Sequence, residues 1–465
     1  MACVALSSSA DLLDDARKRL TEGDFWQARK LLDSALSANS NLKQNAQYNY
    51  LLGACEFEAG NYGEAEKLLS FAKQKGNAAA NLYLGRLAFL DYDFEKATEL
   101  YGDFRKYQEK TGATGAETLQ EFERQLNSAE QAIDRVEKIV VIDSIALPAD
   151  NFIKEYKLPS SAGLLLMPEE MPLEDHRDGA VMAFMNEGED FMMWGEPDSV
   201  GNVRLVESLR LVDGTWQEPT PTPELLNKGG YADFPFMMAD GVTLYYSSTG
   251  NDTMGGYDIF VVTRDPSTGE YLQPQNIGMP FNSPYDDYML AIDEENGVGW
   301  WATDRNRLGD KITVYVYLIN DLRKNYDPDD ENILEMARLS DYKATWNPDD
   351  AEKYREILAV IDEIDPDMGS ESADFYFPVG DGLYYTSFDD FKSTAARDAM
   401  QRYLAAQREV KATENSLAEL RRRYSVNHAD NVKQEILRLE KEIEQQRADL
   451  ISKRSDVYRF EKGKK

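Results

Sequence analysis

Residues 240–262 read DGVTLYYSSTGNDTMGGYDIFVV, and their pattern indicates how the central part of the chain folds. A turn-forming Asp-Gly pair precedes a run of β-branched and aromatic residues, and a glycine-containing turn separates it from a second such run. The pattern returns 55 residues later, where WWAT at 300–303 aligns with YYSS at 245–248 and VYVY at 314–317 aligns with IFVV at 259–262. A repeat that carries several strands and a long connection predicts a propeller blade.

The strand-rich region begins at Lys138, where the residues KIVVIDSI are typical of a β-strand. Weaker copies of the repeat occur at 191–194 (FMMW) and at 381–387 (DGLYYTS). We therefore predict an all-β propeller of five or six blades over residues 138–391. The DGVTLYYSS segment at 240–248 and the GGYDIFV segment at 255–261 resemble the WD40-like (PD40) propeller repeat of the TolB family.

A second repeat precedes the propeller region. Residues 22–28, 59–65 and 90–97 each contain a turn, an aromatic residue and an alanine three residues later, and the aromatic recurs at intervals of 37 and 32 residues. The Leu-Gly pairs that contain Gly53 and Gly85 stand 12 residues before the alanines of the last two units. This spacing resembles the tetratricopeptide repeat (TPR), in which small residues let paired helices approach closely. We predict an α-solenoid of three helical hairpins plus a capping helix over residues 11–137.

The last section, residues 392–465, carries two stripes of apolar residues at helical spacing on either side of a break near His428. We predict an antiparallel helical hairpin or coiled coil. The section contains 18 Lys and Arg against 12 Asp and Glu, so its charge is opposite to that of the remainder. It either docks on an acidic surface or remains a solvated coiled coil. The predicted fold class is therefore multidomain α + β.

The composition of the chain excludes several classes of partner and of functional site. The net charge of −33 argues against a nucleic-acid or anionic membrane surface as the partner. Two cysteines and two histidines are too few for a zinc cluster or an iron–sulfur site, and no apolar run is long enough to span a bilayer. His176 lies in a charged loop without a nucleophile motif nearby in sequence, so we predict no catalytic, cofactor or metal site.

The N-terminal residues 1–10, MACVALSSSA, are similar to the end of a secretory signal. Three interpretations stay open: lipoprotein-type cleavage before Cys3 with lipid on its sulfur, processing near Ala10, or a disordered terminus. Export predicts a periplasmic or outer-membrane-associated location.

The order of helical repeats followed by a TolB-like propeller resembles envelope proteins of Bacteroidetes-type bacteria, some of which assist type IX secretion. The resemblance implies a non-enzymatic protein–protein interaction scaffold whose partners are other envelope proteins and which assists outer-membrane transport or secretion assembly. The alternatives are a propeller-based glycan- or peptidoglycan-binding protein or hydrolase, and a structural outer-membrane accessory anchored by lipid at Cys3.

In the TPR family, the first helix of each unit lines the concave face. Setting Ala16, Gly53 and Gly85 in register then brings a set of arginines and aromatic residues to that face as a protein-binding surface. The set consists of Arg17, Tyr50, Phe57, Arg86 and Phe89. In the alternative, Phe57 and Phe89 pack between helices and the arginines form local surface pairs.

Overall fold

The computed structural model describes residues 8–150, 152–211, 213–250, 252–265, 268–320, 322–362, 377–380, 383–385, 387–427 and 430–462. Cys3, its neighbours in the predicted signal segment and His428 lie outside these residues. The chain divides into two compact units, Met1–Asp349 and Asp350–Lys465.

The first unit opens with a helical region. Its helices are α1 (Ser9–Thr21), α2 (Phe25–Ala38), α3 (Ala46–Glu58), α4 (Tyr62–Gln74), α5 (Ala80–Leu90), α6 (Phe94–Thr111) and α7 (Ala116–Ile133). The turn residues of the repeat start the second helix of each pair. The Asp24 carboxylate accepts from the backbone N–H of Gln27, and that of Asp93 accepts from Lys96, both at 3.1 Å. These N-caps satisfy donors that the helix itself leaves unpaired.

The helices pack as consecutive antiparallel pairs, α1 with α2, α3 with α4, and α5 with α6. The repeated alanines Ala28, Ala65 and Ala97 are almost completely buried where the helices meet. A Cβ placed on Gly85 would lie 2.5 Å from the Tyr101 ring, so the close approach of α5 and α6 requires the glycine.

An antiparallel β region follows in three sheets. The first sheet contains β2 (Leu164–Leu166), β3 (Ala183–Met185), β4 (Phe191–Pro197), β5 (Val203–Leu209) and β6 (Thr220–Pro221) in that order. The second contains β7 (Ala232–Met237), β8 (Thr243–Ser248), β9 (Asp258–Thr263) and β10 (Gln275–Asn276). The third contains β11 (Asp287–Asp293), β12 (Val298–Leu308) and β13 (Lys311–Leu318), and its outer strand is β1 (Val140–Pro148) from the start of the region.

The 55-residue repeat has a structural counterpart in the second and third sheets. The register of β7 against β8 shifts between Asp233 and Phe236, and that of β11 against β12 shifts 55 residues later, between Tyr288 and Ala291. Phe234 and Met289, within the two shifts, both have φ of 54°. The repeat therefore includes a bulge as well as the strands.

The repeated asparagines also have matching roles. Asn227 and Asn282 are buried in the connections that follow the first and second sheets. Their side-chain oxygens accept from the backbone N–H of Leu205 and of Ile259, each at 2.8 Å. Each asparagine thus hydrogen-bonds its connection to the preceding sheet.

The described part of residues 140–318 forms three sheets, fewer than the five or six blades that the sequence predicts. The weak copy at 191–194 is β4 of the first sheet. The weak copy at 381–387 contributes β15 (Leu383–Tyr385), which lies in the second unit. Among the described residues, β15 pairs only with the short β14 (Phe377–Gly380).

The helical and β regions share one hydrophobic core. Met254, Met279 and Tyr285 of the β region belong to the same buried cluster as residues of α5, α6 and α7. The Tyr285 hydroxyl donates to the Leu90 carbonyl at 3.2 Å. The short helix α8 (Ile333–Arg338) adds Ile333 to this cluster.

The second unit contains α9 (Ala351–Asp362), α10 (Thr394–Asn427) and α11 (Asp430–Lys462) as well as β14 and β15. The Ser393 hydroxyl, just before α10, donates to the Phe460 carbonyl near the end of α11 at 3.3 Å. Helices α10 and α11 therefore run antiparallel, and Leu417 and Ile436 meet in their common core. No helix in the described part of the chain is long and apolar enough to span a membrane.

Candidate functional site

A groove of about 540 Å³ lies on the helical region, lined by the first helices of the three pairs and by α6, with the connection from α6 to α7 closing it. This volume falls in the range of about 300–1,000 Å³ that ligand sites occupy. The lining residues are Arg17, Leu20, Thr21, Gln47, Tyr50, Asn77, Ala79, Leu82, Tyr83, Phe104, Tyr107, Thr111, Gly112, Ala113, Thr114, Gly115 and Thr118.

Local sequence explains the shape of the closed end. Gly112 caps the end of α6 with a left-handed φ of +68°, and Gly115 has φ of +106° just before α7. Glycine adopts these angles at little steric cost. A Cβ on Gly115 would lie 3.2 Å from Cζ of Phe104 and 3.6 Å from Cδ2 of Leu82, so this turn packs against apolar side chains of the groove.

The groove has one charged lining residue among those described. Arg17 lies on α1 with about half of its side chain exposed, and its guanidinium is 3.6 Å from the Asp14 carboxylate. Burial raises the pKa of Tyr50 to about 12, with the nearby Tyr107 adding to the increase and Arg17 opposing it. Burial also raises the pKa of Tyr83.

The structure brings two of the five predicted binding residues together in this groove. Arg17 and Tyr50 both line it. Phe57 packs between helices, with its ring centroid 5.2 Å from that of Tyr62 and 5.3 Å from that of Tyr83. Its position agrees with the alternative interpretation, packing between helices.

Arg86 and Phe89 do not lie on the groove wall expected from the register of the repeats. Helix α7 covers Arg86, whose guanidinium donates to the Gln125 side-chain oxygen at 2.6 Å. The same guanidinium lies 4.7 Å from the centroid of the Phe89 ring and 4.8 Å from that of Phe122. Because α7 packs where another unit would continue the stack, the third unit's arginine is enclosed while Arg17 of the first unit stays accessible.

Helix α6 and the α6–α7 turn also line the groove, and none of their residues belongs to the set predicted from the sequence. Phe104 and Tyr107 are three residues apart on α6, with ring centroids 6.2 Å apart. Their spacing and the two glycines of the turn are sequence signals for an aromatic wall. Gln47 and Asn77 carry no such signal, although the Asn77 amide lies 3.4 Å from the Gln47 side-chain oxygen.

His176 lies away from the groove, in the connection from β2 to β3. Its Nδ1 is 3.1 Å from the Glu196 carboxylate, and its Nε2 is 3.8 Å from Glu218. The Trp194 indole N–H donates to the same Glu196 at 3.2 Å. The sequence places His176 among the carboxylates of its own charged loop, whereas the carboxylates that pair with it come from β4 and from the connection between β5 and β6. In the described residues, no group of three or more His, Cys, Asp or Glu side chains is arranged to hold a metal ion.

Several acids of the β region are buried. Burial raises the pKa of Asp258 to about 8, although its carboxylate accepts from the backbone N–H groups of Met254 and Gly255. These bonds organise the turn between β8 and β9. Burial likewise raises the pKa of Asp233 and of Asp304 to about 7.

Comparison of this chain with protein-family models, with curated proteins and with solved structures finds no match.

Proposed function

We propose that this protein is a non-enzymatic protein–protein interaction scaffold of the bacterial cell envelope. In this proposal the helical pairs are a TPR solenoid, the three sheets belong to a TolB-like propeller, and the two long C-terminal helices form a coiled-coil hairpin. The observation that carries the proposal is the groove, which joins Arg17 to aromatic and amide side chains on consecutive helical pairs.

The groove suits an extended segment of a partner protein. Tyrosine side chains contribute large apolar area at small entropic cost, and arginine is a frequent anchor of protein interfaces. Side-chain amides, such as those of Gln47 and Asn77, can donate to and accept from a peptide backbone. The shared core of the helical and β regions supports the scaffold role because it fixes the groove relative to the sheets.

Site-specific crosslinking tests this function. We would place a photoreactive amino acid at Thr118, which is exposed in the groove, and at Trp26, whose side chain is exposed on α2 and does not line the groove. We expect defined crosslinks to a partner protein from Thr118, at least about tenfold stronger than from Trp26. Equal labelling from both positions would contradict the proposal.

Envelope location is a separate part of the proposal and needs its own test. It is supported by the resemblance of residues 1–10 to an export signal and has two forms, a lipid anchor at Cys3 or processing near Ala10. Palmitate labelling in a Gram-negative host should disappear in Cys3→Ser if the anchor exists. Processed but unlabelled protein would indicate cleavage near Ala10, and a cytoplasmic product would contradict export.

A further inference from the structure

The imidazole of His176 lies between two carboxylates that come from different segments of the chain. Its Nδ1 is 3.1 Å from Oε2 of Glu196 on β4, and its Nε2 is 3.8 Å from Oε1 of Glu218 in the connection from β5 to β6. About one-fifth of the His176 side chain is exposed, so a small ligand can reach the ring. Three segments therefore meet at this side chain, because His176 itself belongs to the connection from β2 to β3.

The hydrogen bonds of Glu196 determine which nitrogen of the His176 ring carries the proton. The Glu196 carboxylate accepts from the indole N–H of Trp194 at 3.2 Å, and a carboxylate has no proton of its own to give to Nδ1. Nδ1 is therefore the donor to Glu196, and in the neutral ring the lone pair lies on Nε2. Trp194 is fully buried, with its ring centroid 6.2 Å from that of His176, so the acceptor of this bond is held in place.

Nε2 of His176 and the Glu218 carboxylate consequently face each other as two acceptors with no hydrogen between them. Glu218 is about nine-tenths exposed and makes no other ion pair among the described residues. A zinc ion binds imidazole nitrogen at about 2.0–2.1 Å and carboxylate oxygen at about 2.0–2.2 Å, so a tetrahedral angle places the two ligand atoms about 3.4 Å apart. The observed separation of 3.8 Å is larger by only about 0.4 Å, a shift that the exposed Glu218 side chain can make.

The surroundings of His176 also match those of metal-binding histidines. A histidine that ligates a metal almost always donates its other ring N–H to a carboxylate or a carbonyl, which fixes the orientation of the ring and increases its basicity. Glu196 has this role here. The described residues supply two ligands at this point rather than three, so water completes the coordination of an ion. Imidazole favours zinc, copper and nickel, whereas magnesium and calcium prefer oxygen ligands.

We propose that Nε2 of His176 and the carboxylate of Glu218 bind a divalent transition-metal ion of the zinc type, with Glu196 as the positioning residue that orients the imidazole. The bound ion links the connection from β2 to β3 with the connection from β5 to β6, and water occupies its open positions. This site lies on the first sheet and not in the groove of the helical region, so it does not depend on the proposed function.

Nuclear magnetic resonance of the full chain with isotope-labelled histidine tests the site, because the sequence contains only two histidines and His428→Gln assigns their signals. At about pH 7.5 we expect the His176 proton on Nδ1, and we expect Zn²⁺ to shift the Nε2 signal of His176 at concentrations at least about tenfold below those that affect His428. Glu196→Gln, whose amide can also donate to Nδ1, should admit the form with the proton on Nε2. A proton on Nε2 of the wild-type ring that Zn²⁺ does not displace would overturn the proposal.

Isothermal titration calorimetry with Zn²⁺ alone measures the affinity of the site. His176→Gln and Glu218→Gln should each weaken Zn²⁺ binding at least about tenfold. Because Glu218 is exposed, its variant separates the loss of a ligand from a loss of folding. The control Glu224→Gln removes an exposed acid that pairs with Arg204 at 2.8 Å, and it should leave Zn²⁺ binding unchanged.

Mg²⁺ at the same concentration should not compete with Zn²⁺, because it requires oxygen ligands. Zn²⁺ binding of equal strength in wild type and His176→Gln would show that surface carboxylates hold the ion, and it would overturn the proposal.

Discussion

Arg17 and Arg86 occupy equivalent positions in the repeat but have different surroundings. The first is half exposed beside Asp14, whereas the second lies under α7 between two rings with Gln125 as its acceptor. Burial under α7 lowers the pKa of Arg86. Removing this guanidinium leaves the Gln125 side-chain oxygen without its partner, and the ring contacts are lost as well.

We therefore predict that Arg86→Ala lowers the free energy of unfolding by about 2–3 kcal/mol, while Arg17→Ala changes it by less than about 1 kcal/mol. Chemical denaturation followed by circular dichroism measures both variants. The sequence register alone predicts equal, small effects for the two substitutions. Equal effects would mean that Arg86 is as exposed as Arg17.

The buried Asp233 makes the stability of the protein depend on pH. Burial raises its pKa from 3.8 to about 7, although its carboxylate accepts from the Phe234 backbone N–H at 2.7 Å. Because the folded state holds this proton more tightly than the unfolded state, its contribution to stability is fully present below pH about 4. That contribution is lost as pH rises to about 7 and above, by up to about 4 kcal/mol.

We expect Asp233→Asn, which keeps an acceptor oxygen, to reduce the fall in stability between pH 4 and 8. The control is Asp213→Asn. A hydrogen bond from the Thr215 hydroxyl lowers the pKa of the exposed Asp213, so its contribution is lost as pH falls. The denaturation midpoints of both variants are measured across this pH range. An unchanged slope in Asp233→Asn would show that other groups determine it.

At the scale of elements, helix pairs depend on glycines at close contacts. Gly85 on α5 faces the Tyr101 ring, where a Cβ would lie 2.5 Å from Cε1. A Cβ placed on Gly102 of α6 would have no neighbouring atom within 4 Å, so Gly102 serves as a matched control. Alanine is more favourable than glycine within a helix by about 0.5–1 kcal/mol. Any loss of stability in Gly85→Ala therefore comes from the contact with Tyr101.

We predict that Gly85→Ala destabilises the protein by about 1–3 kcal/mol, because α5 and α6 must separate or Tyr101 must leave its rotamer. Gly102→Ala should stabilise it by about 0.5–1 kcal/mol. Thermal unfolding of the two variants gives the comparison. Stabilisation by both substitutions would rule out close packing as the reason for glycine at position 85.

At the scale of the whole molecule, the change from helices to strands at Lys138 does not separate two compact units. The Lys138 backbone N–H donates to the Lys324 carbonyl at 2.6 Å, and β1 immediately afterwards pairs with β13. The Gln125 amide of α7 donates to the Gly255 carbonyl at 2.7 Å. The compact units instead divide between residues 349 and 350.

Limited proteolysis should therefore cut near residues 343–355 before it cuts near Lys138, with at least about a tenfold difference in rate. The sequence pattern alone predicts early cleavage at Lys138 and near Ser393. Mass spectrometry of the first stable fragment distinguishes these outcomes. As a control, Gln125→Ala, which removes a contact between the helices and the sheets, should accelerate cleavage at Lys138.

The elements that depend on local chemistry can be predicted from the sequence. The Asp turns and repeated alanines marked the helix pairs, and the 55-residue offset placed β8 with β12 and β9 with β13. These features are visible because capping, turn formation and alternation act between residues that are close in the chain.

Which repeated positions remain accessible depends on the packing of the whole first unit. Contacts between distant segments place Arg17 in the groove and α7 over Arg86. Such contacts also pair β1 with β13 at the edge of the third sheet. Repeat register assigns equivalent residues to equivalent positions. The end of a stack breaks that equivalence, because α7 covers Arg86 while Arg17 stays about half exposed.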